Sequence, residues 1–86
     1  KELKQVRISP RSALNDLQIK ARRAEEFLNE GHKVEIGIFL RGREKGNKDW
    51  ALQKMREFLK MITVSHEVTM EPRQGGRGFV TQITKK

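Results

Sequence analysis

Arg41, Arg43, Lys45 and Lys48 fall within the run FLRGREKGNKDW, residues 39–50, with Gly42 and Gly46 among them. Cations at close spacing beside glycine suit the binding of phosphate. A guanidinium forks onto two phosphate oxygens, an ammonium supplies a compact charge, and glycine lets the backbone come close to the anion. A loop whose charges are merely hydrated is the competing reading of the same residues. Arg73 and Arg77 form a second basic group in PRQGGRG, residues 72–78, where arginine can stack on a base as well as grip a phosphate.

A third group is ordered in an unusual way. Lys20, Arg22 and Arg23 precede Glu25, Glu26 and Glu30. In a helix this order opposes the dipole, which favours acids early and bases late by about 0.3–1 kcal/mol each. Helix stability does not account for it, whereas a cationic binding surface does; a spaced Arg22–Glu26 ion pair is the plain alternative. Nothing comparable points to catalysis. The chain has no nucleophile elbow, P-loop or HExxH motif, it lacks cysteine, and His32 and His66 follow no ligand spacing. No catalytic residue, metal ligand or cofactor is therefore expected.

Composition supports an anionic partner. The 86 residues hold 19 Lys and Arg against 11 Asp and Glu, a net charge of +8 that would repel itself without counter-charge nearby. A chain of this length buries only about 60–65% of its unfolded surface, so residues 1–86 are expected to form one domain. The lack of cysteine fits a reducing cytoplasm. No apolar run approaches the roughly 18 residues of a membrane span, and KELKQVRISP lacks the apolar centre of a signal peptide. The basic charge is not gathered on one amphipathic helix, so no membrane partner is expected.

Several segments must position these residues. Val6 and Ile8 alternate with Arg7 in LKQVRI, and Pro10 ends that strand. Leu17, Ala21, Ala24 and Leu28 recur at helical steps, with Phe27 at the margin, Asn15 or Asp16 expected to cap the start and Gly31 to end the helix left-handed. In KVEIGIFL, Val34, Ile36, Ile38 and Leu40 share one strand face, and Gly37 marks a bulge or close packing against a helix. Asn47 is expected to cap a second helix carrying Ala51, Met55, Phe58 and Ile62. Trp50 lies beside that stripe, where it closes the rim of a core or, alternatively, offers a stacking platform. TVSHEVTM and GFVTQIT read as a hairpin with EPRQGGRG as a long basic tip. Gly75 to Gly78 matches the GXXG pattern of KH domains, but there the loop joins two helices and here two strands.

The expected fold is α/β, an α+β sandwich of order β-α-β-α-β-β. Its first two strands are parallel in a mixed four-stranded sheet, with both helices on one face. At the carboxyl ends of those two strands, where ligands gather in such sheets, the densest basic cluster would sit.

These residues resemble the C-terminal domain of bacterial translation initiation factor three. The likeness runs from ISP after the first strand, through NDLQIKARRAEEFLNEGHKV, to RGRE and the arginine of GGRG. It implies the same element order and a function of binding without chemistry. Such a domain occupies ribosomal RNA on the platform of the small subunit, impedes premature joining of the large subunit, and favours pairing of initiator tRNA with the start codon. Carried over position by position, the resemblance marks Lys20 and Arg22 on the first helix, Arg41 and Arg43 around the glycine of the second strand's motif, and Arg77 in the hairpin. Arg73 stands where the family commonly has Lys, and Asn47 where it often has His. The family's N-terminal domain and linker are not in this sequence, which reads as a fragment or a stand-alone form.

The expected RNA-binding set is thus Lys20, Arg22, Arg41, Arg43, Lys45, Lys48, Arg73 and Arg77. The expected partners are the small ribosomal subunit, through its platform RNA, and initiator tRNA, with the chain acting as a monomer in the bacterial cytoplasm. Two other readings fit the same residues: a general RNA-binding or ribosomal protein without an initiation role, and a protein-interaction module in which the charge is incidental.

Overall fold

Alternation writes the first strand. In β1, Leu3–Ile8, Val6 and Ile8 are buried while Gln5 and Arg7 stay in water. The computed structural model describes residues 2–75 and 78–86, except the side chains of Glu44 and Lys45. The remaining elements are α1, Leu14–Asn29; β2, Lys33–Phe39; a 3-10 turn, Gly42–Gly46; α2, Lys48–Met61; β3, His66–Gln74; and β4, Gly78–Lys85. The expected order β-α-β-α-β-β is the observed one.

The sheet has strand order β1-β2-β4-β3, with β1 parallel to β2 and the other pairs antiparallel. Its inner face contributes Val34, Ile36, Ile38 and Ile83, all fully buried, against Ala24 and Leu28 of α1 and Ala51, Met55 and Phe58 of α2. Each large apolar side chain so buried contributes about 1.5–3 kcal/mol, which is what holds two helices over one sheet face.

Both helix N-termini differ from expectation. Asn15 and Asp16 do not cap α1. The helix begins earlier, with extended Ala13 as N-cap and its carbonyl accepting from Leu17 N–H at 3.0 Å. Asn15 and Asp16 then fall inside the first turn, where Asp16 suits the dipole instead. Asn47 occupies the N-cap position of α2 but makes no side-chain cap bond there. Gly31 behaves as expected. With φ of 87° it closes α1, its N–H bonding Leu28 O and that of His32 bonding Phe27 O, both at 3.0 Å, a Schellman pair.

Two readings of the strands are corrected. Gly37 marks neither a bulge nor packing against a helix. It pairs in register with Arg7 and Val80, and a Cβ there would meet Phe39 Cε1 at 3.4 Å and Val80 Cγ1 at 3.5 Å on the face away from the helices. EPRQGGRG is not one long tip either. β3 continues through Gln74, with register shifts between Val68 and Met70 and between Met70 and Arg73 that accommodate Pro72 on an outer strand. Arg73 accordingly sits in the sheet opposite Val80 rather than on the tip.

Candidate nucleic-acid interface

The parallel ladder of β1 and β2 ends at Ile8 and Ile38, and the two chains then diverge into the loops that lead to α1 and α2. Between those loops lies a cleft of about 580 Å³ lined by Ser9, Arg11, Ser12, Arg41, Gly42 and Arg43. The β1–α1 side is shaped by its serines. Ser9 N–H donates to Ser12 Oγ at 3.2 Å, Arg11 N–H donates to Ser9 Oγ at 3.3 Å, and Ser12 N–H donates to Ser9 O at 3.0 Å. This turn fixes the backbone that carries Arg11. The β2–α2 side brings Arg41 and Arg43 by the short path of the 3-10 turn, with Gly42 between them.

A cleft lined by three arginines and two serines suits an anion with several oxygens, because arginine forks are planar, always charged and weakly hydrated. A second depression, of about 270 Å³, continues from Ser9, Ser12 and Arg41 to Arg7, Lys20 and Phe39. Lys20 is held at its margin, donating to Arg7 O at 2.6 Å and standing 3.8 Å from Asp16 Oδ2.

The sequence-predicted residues therefore separate. Arg41 and Arg43 share the cleft and Lys20 adjoins it. Lys48 is exposed at the first residue of α2, close behind the 3-10 turn. Arg22 is elsewhere, lining a depression of about 330 Å³ with Gln18, Ala21, Glu25, Met61 and Thr63. Two residues along a helix turn about 200° around its axis, which is why Lys20 and Arg22 part company. Arg73 is exposed on β3, at the sheet edge opposite β1. The Lys45 side chain and Arg77 lie outside the described residues.

Arg11 is the residue that sequence reasoning missed. Its signal was SPRS directly after a strand end, placed at the same sheet edge as RGRE. The reversed charge order of α1 also acquires a partial cause. Among the described residues the ion pair on this helix is Asp16–Lys20, not Arg22–Glu26. Glu25 ties α1 to the segment after α2, and the Thr63 backbone N–H, then the Thr63 hydroxyl, hold its carboxyl below the usual range. Arg23 lies over the Phe27 ring at 5.7 Å. Both histidines are built into the fold, His32 Nδ1 accepting from Glu2 N–H at 3.1 Å and His66 Nδ1 lying 2.7 Å from Val64 O. Trp50 is half-buried beside the fully buried Ala51.

Residues 1–86 match the family "Translation initiation factor IF-3, C-terminal domain". Similar proteins, each named "Translation initiation factor IF-3", include that of Methylacidiphilum infernorum, 32% identical over 96% of this chain and 38% of the relative. Those of Mycoplasma capricolum and Aromatoleum aromaticum are 33% and 29% identical over 99% of the chain, covering 47% and 49% of their own lengths. The chain thus spans half or less of the length of these relatives. With a family match along its whole length, the chain belongs to the translation initiation factor IF-3 C-terminal domain family.

Proposed function

We propose that this domain docks on the small ribosomal subunit by binding its platform RNA, opposes premature joining of the large subunit, and supports initiator-tRNA selection at the start codon in the bacterial cytoplasm. The observation that carries this reading is the cleft in which Arg11, Arg41 and Arg43 converge from two loops on a chain of net charge +8. The family membership supports it, since the relatives are named for translation initiation.

The mechanism is occupancy. Arg11, Arg41 and Arg43 grip RNA phosphates, with Lys20 and Lys48 extending the positive rim around them. Arg22 and Arg73 widen the contact over neighbouring surfaces, and Lys45 and Arg77 join the RNA-binding set on their sequence positions alone. No bond is made or broken. A monomer seated in this way covers subunit surface that the large subunit needs.

The test is binding to purified small and large subunits across a salt series, comparing wild type with Arg11→Ala/Arg43→Ala. Engagement of about five phosphates predicts small-subunit binding with a log–log salt slope near −3.5 to −4.5, made shallower by about 1.4–1.8 in the double variant. Equal binding to both subunits, or binding indifferent to salt and to the substitutions, overturns the reading.

A further inference from the structure

Strand register stacks side chains into rows on the sheet face away from the helices. Arg7 pairs with Gly37, Gly37 with Val80 and Val80 with Arg73, so one row runs from arginine to arginine across the sheet. The next row holds Gln5, Glu35 and Gln82, tied by two bonds of 3.2 Å in which each amide donates to the Glu35 carboxylate. Gly37 leaves a gap in the first row, and the half-buried Phe39 ring leans over it towards Val80. The Arg7 guanidinium carbon stands 5.5 Å from the centre of that ring. From this hollow the depression shared by Arg7, Phe39, Ser9, Lys20 and Arg41 leads into the arginine cleft.

We propose that the Phe39–Arg7 pair is a stacking station for one unpaired base of single-stranded RNA whose neighbouring phosphate lies in the arginine cleft. The inference rests on the RNA-binding reading above and deepens it by naming a nucleotide contact. Every base has a π-face that an aromatic ring or a guanidinium plane can cover, and such contact tolerates any sequence. Charge favours this occupant: Arg7 and Arg73 end the row at either side of Gly37 and Val80, where flanking phosphates would pass. The Gln5–Glu35–Gln82 row supplies donors and acceptors beside the ring for a base edge. Continuity with the cleft supplies the path, since no helix separates Phe39 from Arg41.

The experiment is anisotropy binding of two fluorescein-labelled probes, single-stranded hexa-adenylate and a base-free ribose-phosphate hexamer of equal charge. Their affinity ratio isolates the bases. Phe39→Leu keeps the apolar bulk without the π-face and is expected to lower that ratio at least about five-fold, whereas Phe39→Trp preserves it. Arg43→Ala is expected to weaken both probes alike. In the wild type, the Phe39 ring protons should shift upfield when hexa-adenylate is added, a readout that needs no variant. A ratio unchanged by Phe39→Leu, or unmoved ring protons, overturns the stacking station and leaves the RNA reading standing. Failure of the wild type to bind either probe in a salt-sensitive way overturns the RNA reading itself.

Discussion

The Glu25 carboxylate on α1 accepts both hydrogen bonds that Thr63 offers, from the backbone N–H at 2.6 Å and from the hydroxyl at 2.8 Å. The two residues are 38 apart in sequence, so this contact fixes the chain leaving α2 to the C-terminal half of the first helix. It also places α1 relative to β3 without drawing on the apolar core.

Glu25→Gln is expected to lower stability at neutral pH by about 1 kcal/mol, at the low end for charge-assisted bonds because the site is open to solvent. The folded-state carboxyl is held below its ordinary value by the Thr63 bonds. Its contribution is therefore complete above the unfolded value, near 4.3, and is lost as pH falls through the depressed folded value. Urea midpoints of wild type and variant should accordingly converge as pH is lowered below the unfolded value and through the depressed folded one.

Thr81 is fully buried, and its hydroxyl donates to Met70 O at 2.6 Å. Met70 lies between the two register shifts of β3, so the hydroxyl supplies a bond where the ladder is irregular. Thr81→Val keeps the shape and removes the donor, and it is expected to cost about 1–3 kcal/mol. Hydrogen exchange should show faster opening of β3 amides around Met70, with β2 much less affected.

Gly78 faces Phe39 across the β2–β4 ladder, and a Cβ there would collide with the Ile38 carbonyl oxygen and lie 3.1 Å from its carbon. Backbone, unlike the end of a side chain, cannot step aside. Gly78→Ala should therefore destabilise by at least about 2 kcal/mol, read as a lower urea midpoint. Gly42→Ala, with open space around its Cβ position, should leave the midpoint nearly unchanged.

The core was legible because periodicity reports burial directly. Val34, Ile36, Ile38 and Leu40 alternate, Ala21, Ala24 and Leu28 recur at helical steps, and all seven are buried. Gly31 was legible because few residues accept its positive φ. The run of β3 through Pro72 was not, since proline reads as a break, and only its place on an outer, irregular strand makes it harmless. The site divided in the same way. Arg41 and Arg43 share a cleft because they are neighbours in sequence, and helical geometry could have separated Lys20 from Arg22. Arg11 becomes visible only when two loops 30 residues apart meet at adjacent strand ends, which is a property of the parallel pairing and not of either loop.

The irregularity of β3 has a further effect at the rim of the sheet. A straight apolar outer strand exposes a row of unpaired N–H and C=O groups that any other extended chain can extend, copy upon copy. Here that rim is broken by Pro72, shifted twice in register, and studded with Glu67, Glu71 and Arg73. Another strand would find neither a continuous ladder nor a neutral surface, so this rim resists the edge-to-edge stacking that leads to fibrous aggregates.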